Sequence, residues 1–173
     1  QLTGLANRRA LLQAAPQRQA LAQRQNLPWA VVLLDLDHFK AVNDQHGHAR
    51  GDEALELLGQ VLQANIRAEE LAARWGGEEF CLLMYANQAE VERFYQRLST
   101  ALHDQSLHKL GFALHLSAGC ALQSAENSPP FASLLQQADN ALYSAKNQGR
   151  GRLAFAPSTT PPLLAPARAV ELS

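Results

Sequence analysis

The chain has 173 residues, about the length of one domain, and is 47% hydrophobic and 18% charged, which suits a buried core and excludes a disordered tail as the whole. Fifteen Lys and Arg against sixteen Asp and Glu leave a net charge of −1, which argues against attachment to a nucleic-acid polymer through bulk charge. Two cysteines, Cys81 and Cys120, both in apolar runs, do not make a disulfide framework and fit a reducing, cytoplasmic setting. No apolar run approaches 18 residues, so neither a membrane span nor membrane contact is expected from this segment. The abrupt start at Gln1-Leu2-Thr3 reads as a piece of something longer.

Residues 5–25 are rich in Ala, Leu, Gln and Arg and predict a helix interrupted only by Pro16. Trp29 to Leu36 is a nearly continuous apolar run, the pattern of a strand buried on both faces, and it ends on Asp35-Leu36-Asp37. A short polar turn or helix, His38 to Gly47, follows. From Asp52 to Arg67 the apolar residues recur at helical spacing. Leu71 to Trp75 and Phe80 to Tyr85 read as a hairpin around Gly76-Gly77-Glu78-Glu79. Gln88 to His103 predicts a helix. Gly111 to Leu122 predicts a longer strand in which Gly119 marks a bulge or a close backbone approach. Ser128-Pro129-Pro130 predicts the cap of a helix whose stripe runs from Phe131 to Ala145, and Arg152 to Ala156 an edge strand. Residues 1–156 then form the domain, and 157–173, rich in Pro and Ala, a flexible tail. A tight hairpin cannot join parallel strands, so a doubly wound sheet is excluded in favour of a mixed α+β sheet covered by helices.

Carboxylates at the end of a buried strand cost solvation unless compensated. Asp35 and Asp37 mark either a strand end turning to solvent or a divalent cation site. The Gly76-Gly77 turn supplies positive φ, and its bare backbone also admits a phosphate group. The adjacent glutamates repel one another, which a cation would relieve. His38, His46, His103, His108 and His115 lack ligand spacing and read as surface or core residues.

Four segments together resemble one family. Arg74-Trp75-Gly76-Gly77-Glu78-Glu79-Phe80 is similar to the signature of the GGDEF family of diguanylate cyclases, in a GGEEF form. Leu2 to Arg9, the stretch Asp35 to Asp52, and Ala138 to Arg150 resemble its other motifs, in the same order. The resemblance implies a mainly antiparallel central sheet flanked by helices, akin to nucleotidyl cyclases and polymerase palms. It also implies synthesis of cyclic di-GMP from two GTP, dependent on Mg²⁺ (or Mn²⁺), by a homodimer in which two domains face each other. Carried over by position, Asp35, the backbone carbonyl of Leu36 and Glu78 would hold the metal. Glu78 and Lys40 would serve catalysis, with Glu78 accepting the 3′-hydroxyl proton. Asn43, His48 and Asp52 would line the guanine pocket, while Gly76, Gly77, Glu79, Lys146 and Arg150 would meet the rest of the substrate. Asp37 is expected to stiffen the site and Trp75 to pack.

One departure stands out. The family's inhibitory product site carries Arg-x-x-Asp before the glycines, and this chain has Arg67-Ala68-Glu69-Glu70. The extra methylene moves the carboxylate by about 1.5 Å, so only weak product binding is expected. A module that binds GTP or cyclic di-GMP without catalysis is the rival reading, disfavoured by the undamaged glycine–acid turn.

Overall fold

The computed structural model describes residues 2–123 and 129–157. Its elements are β1 (Ala6–Asn7), α1 (Arg8–Arg24), β2 (Trp29–Leu36), α2 (Phe39–His46), α3 (His48–Asn65), β3 (Leu71–Gly76), β4 (Glu79–Met84), α4 (Gln88–Leu110), β5 (Leu116–Gln123), α5 (Phe131–Asn147) and β6 (Leu153–Phe155). The strands form one sheet in the order β1-β3-β4-β2-β5-β6. The central pairs β3/β4, β4/β2 and β2/β5 are antiparallel, whereas the short edge strands β1 and β6 run parallel to β3 and β5. This is the mixed α+β sheet that the hairpin requires.

Strand β2 is buried at all eight positions because helices cover both faces of the sheet. Ala30, Val32, Leu34 and Leu36 join the core beneath α3 and α4, with Leu58, Leu62, Phe94 and Leu98. Trp29, Val31 and Leu33 face the other way, with Leu11 and Ala15 of α1 and Leu134, Ala138 and Leu142 of α5. Each buried Val or Leu among them contributes roughly 1.5–3 kcal/mol, so β2 is the axis of both cores. The two cysteines lie in different cores, and both are free. Burial pushes the Cys81 thiol up to about 12 and the Cys120 thiol up as well.

Asn7 caps α1 by accepting from the Ala10 amide at 2.8 Å, and Pro16 sits inside that helix without ending it. Helix α4 opens on a reciprocal capping box between Asn87 and Glu90. Gly119 answers the expectation of a close approach: a Cβ there would overlap the Ala138 carbonyl oxygen and the Leu142 amide nitrogen, so α5 rests backbone-to-backbone on β5. The β2–β5 register passes Gly119 without a shift, so there is no bulge there.

Several boundaries differ from the sequence reading. α3 starts at His48 rather than Asp52, and α4 continues to Leu110. Gly111, expected to begin a strand, instead caps α4 at φ 82°, and β5 starts at Leu116. The cap of α5 is Pro130, whose carbonyl accepts from the Ser133 and Leu134 amides, while Ser128 lies outside the described residues. The expected tail, apart from Pro157, lies outside them too.

Candidate active site

An open cleft of about 510 Å³ at the end of β2 is lined by Asp35, Leu36, Lys40, Glu78, Lys146 and Arg150. Six of the residues singled out by sequence therefore meet in one place, although they come from β2, α2, the β3–β4 turn, α5 and the segment after it. His38, Phe39 and Asp44 also line it. Sequence reasoning gave these three no role in a site.

Strand alternation sends Asp35 to the same face as Val31 and Leu33, beneath α5. There the Lys146 ammonium donates to its Oδ2. Oδ1 is buried and has no hydrogen-bond partner. Burial raises the Asp35 pKa above the ordinary carboxylate value; Lys146 opposes the rise, and Glu78 and Asp37 add to it. Glu79 stands directly opposite Asp35 in the β2–β4 register. Its pKa is raised too, first by burial and then by the Asp35 charge.

Glu78 is presented by a turn that departs from a regular hairpin. The β3–β4 register shifts between Arg74 and Gly76, and Gly77 adopts φ 38°. Arg74 donates from both Nε and Nη2 to the Gly77 carbonyl, at 3.0 and 2.8 Å, and so fixes the turn. A Cβ on Gly76 or Gly77 would meet nothing within 4 Å, so this backbone is open to a ligand. Trp75 is half-buried, with the Arg8 guanidinium 4.2 Å from its ring centroid.

Arg150 reaches the cleft from a left-handed segment, with Gly149, Arg150 and Gly151 at φ 114°, 62° and 56°. Asp37 is not in the cleft lining. Its Oδ1 accepts from Ser117 Oγ at 2.6 Å and its Oδ2 from the Gly151 amide at 2.9 Å. The expected stiffening role thus has identifiable partners.

The donor set fits a hard divalent cation. Among the described residues no group of three or more His, Cys, Asp or Glu forms a ready-made cage. Magnesium does not need one, since it keeps waters and takes one or two carboxylates plus substrate phosphates. The unpartnered Oδ1 of Asp35, with Glu78 in the same cleft, offers that kind of partial set.

The residues expected to read guanine are gathered less completely. Asn43 lies on α2, His48 opens α3, and Asp52 follows one turn later. None of the three lines the cleft. Asn43 packs against Gly51, where a Cβ would overlap its Oδ1 and lie 3.3 Å from Phe39. His48 and Asp52 are exposed. Gly51 carries part of the family resemblance but was given no role of its own; no helical periodicity signals a glycine that makes room for a neighbour's amide.

Arg67 and Glu70 occupy a separate small cavity of about 80 Å³, which Arg93 and Arg97 also line. Glu70 is only 6% exposed, and its Oε2 accepts from the Arg67 amide at 2.9 Å. The carboxylate is folded back onto its own turn, and burial raises its pKa.

A family model described as "Diguanylate cyclase, GGDEF domain" matches residues 1–152. The chain is 36% identical over 156 residues to diguanylate cyclase DgcP of Pseudomonas aeruginosa, covering 90% of this chain and 23% of that protein. It is 34% identical over 158 residues to diguanylate cyclase DgcS of Shewanella oneidensis, covering 91% of this chain and 52% of that protein. It thus spans about a quarter and about half of these relatives. The crystal structure of the GGDEF domain of DgcB from Caulobacter crescentus, in complex with c-di-GMP, superposes with a TM-score of 0.80 at 31% identity, covering 91% of this chain and 95% of that one.

Proposed function

This chain belongs to the GGDEF family, and on that premise we propose that it is the catalytic domain of a diguanylate cyclase. It condenses two GTP into cyclic di-GMP with release of two pyrophosphates, in the cytoplasm, with one GTP held on each of two facing domains. The observation that carries the reading is the buried, unpartnered Oδ1 of Asp35 in a cleft shared with Glu78 and the cations Lys40, Lys146 and Arg150.

When bound by Asp35, the Leu36 carbonyl and Glu78, Mg²⁺ or Mn²⁺ supplies charge neutralisation at the phosphates and acidifies the attacking hydroxyl. Glu78 takes the proton from the 3′-hydroxyl of the GTP on the facing domain. That oxygen then bonds to the α-phosphorus as the bond to pyrophosphate breaks, and the second half-reaction closes the ring. Lys40, Lys146 and Arg150 stabilise the negative charge that gathers on the leaving pyrophosphate. The open backbone at Gly76 and Gly77 lets the phosphates approach, and Glu79 supports the substrate side of the turn. Asp52 accepts from guanine N1–H and the exocyclic amine, which adenine does not offer there, while Asn43 and His48 complete the base pocket. Arg67 and Glu70 form a product site of low affinity.

Pyrophosphate release from GTP and Mg²⁺, followed as the concentration of the 173-residue chain is raised, tests the reading. Specific activity should climb with concentration, because two chains supply the two halves, and a parallel coiled coil fused before Leu2 should raise it at low concentration. Binding of GTP with no pyrophosphate release at any concentration would instead make the chain a nucleotide-binding module.

A further inference from the structure

The segment that delivers Arg150 to the cleft is held in an arrangement that costs free energy. Three consecutive residues, Gly149 to Gly151, have positive φ, and the middle one carries a side chain. A non-glycine residue persists in that region only where its surroundings over-determine it. The surroundings here are specific. The Gly151 amide donates both to Asp37 Oδ2 at 2.9 Å and to Ser117 Oγ at 3.1 Å, and Ser117 Oγ donates to Asp37 Oδ1 at 2.6 Å. Asp37 and Ser117 are 8% and 0% exposed, so these bonds face little competition from water. On the other side of the segment, Arg152 Nε donates to the Arg150 carbonyl at 3.2 Å, and the Arg150 amide donates to the Ala145 carbonyl at 3.1 Å.

We infer that Asp37, with Ser117, is a positioning residue for Arg150: it grips the Gly151 amide and so holds the phosphate-facing guanidinium in place without touching substrate or metal. The inference rests on the cyclase reading for what Arg150 meets. The clamp itself rests on geometry alone. Both oxygens of Asp37 serve as acceptors within the protein, which leaves Asp35, with its unpartnered Oδ1, as the carboxylate of the pair suited to a cation.

Two measurements on the 173-residue chain test it. Amide hydrogen exchange should show reduced protection at Gly151 in Asp37→Ala and in Ser117→Ala, each of which removes one of its two acceptors, with the larger loss in Asp37→Ala, which removes the shorter bond; Asp37→Leu, close in size and without an acceptor, serves if the alanine variant folds poorly. Unchanged protection at Gly151 in a folded variant overturns the clamp. Affinity for α,β-methylene-GTP in Mg²⁺ should fall about tenfold in Asp37→Ala, as for one misplaced charge-assisted contact, while affinity for guanosine stays unchanged. Arg150→Ala should show a similar loss, and the double variant no further loss, because both changes remove one contact. Additive losses, or an equal loss for guanosine, overturn the action through Arg150. An unaltered chain that binds no analogue overturns the cyclase reading and the phosphate role with it, while exchange at Gly151 still reports on the clamp.

Discussion

Lys146 donates its ammonium to Oδ2 of Asp35, joining the last turn of α5 to the end of β2 across 111 residues of sequence. The lysine side chain is 28% exposed and the aspartate 6%, so the cation neutralises a carboxylate that burial already disfavours as a charge. In the proposed function this one side chain would have two partners to choose between, the Asp35 carboxylate and the substrate phosphates.

Lys146 and a divalent cation should therefore compete for Asp35. Lys146→Ala should bind Mn²⁺ about fivefold more tightly without nucleotide, a difference of ~1 kcal/mol, while its GTP affinity falls. Manganese titration followed by electron paramagnetic resonance reads the first effect directly. Weaker Mn²⁺ binding in the variant would mean that the lysine organises the carboxylate for metal rather than shielding it from metal.

Glu78→Gln keeps the size of the side chain and removes the charge and the proton acceptor that the proposed mechanism requires. Turnover should drop by ~10²-fold or more, the scale of lost general-base catalysis, while GTP still binds through the base pocket. Product formation at the native rate would take Glu78 out of the mechanism.

Gly51→Ala offers a functional lesion with little structural cost. The new methyl would overlap Oδ1 and crowd Cγ of Asn43, the end of a flexible side chain rather than main chain, so stability should change by less than ~1 kcal/mol. The displaced amide should cost about tenfold in GTP affinity. Asp52→Ser should act differently, relaxing the preference for GTP over ATP. Competition binding with both nucleotides distinguishes the two variants, and an unchanged preference in Asp52→Ser would remove that residue from the pocket.

Glu70 has a folded-state pKa raised above its unfolded value, chiefly by burial. The stability its protonated form contributes is present below the unfolded value and lost as pH rises through the folded one. Glu70→Gln keeps an acceptor for the Arg67 amide without the buried charge. Its stability relative to the native chain should therefore improve as pH rises from about 4 to 7, as urea denaturation across that range can show. A constant difference would mean that Glu70 titrates normally. Calorimetry on the native chain should also show cyclic di-GMP binding weaker than micromolar, since this carboxylate already serves its own backbone. Submicromolar binding lost in Arg67→Ala would show that glutamate suffices.

What sequence revealed here and what it concealed have physical causes. β2 was legible because a strand covered on both faces must be apolar throughout, and charge at its end then stands out against the run. β1 was missed because two residues, Ala6 and Asn7, carry no period, and they pair with Ala73 and Arg74 far along the chain. Gly111 was read as the first residue of a strand because a glycine before an apolar run is ambiguous, and only its φ identifies a helix cap. The site residues were recognisable as a set through their resemblance to a family. Their pairings, Asp35 with Lys146 and Asp37 with Gly151, were not, because alternation gives the face of a side chain and not its partner.

The absence of a side chain at Gly119 bears on the candidate site at a distance. Where a helix is cushioned on a sheet by large side chains, rotamer changes let it slide by fractions of an ångström. At Gly119 α5 has no such cushion, and its peptide groups at Ala138 and Leu142 bear directly on β5 there. The helix is thereby indexed to the sheet like a part seated against a stop, and Lys146, one turn further along, inherits that registration relative to Asp35. The spacing between the cation on the helix and the carboxylate on the strand is consequently set by main chain, the least adjustable material in the molecule.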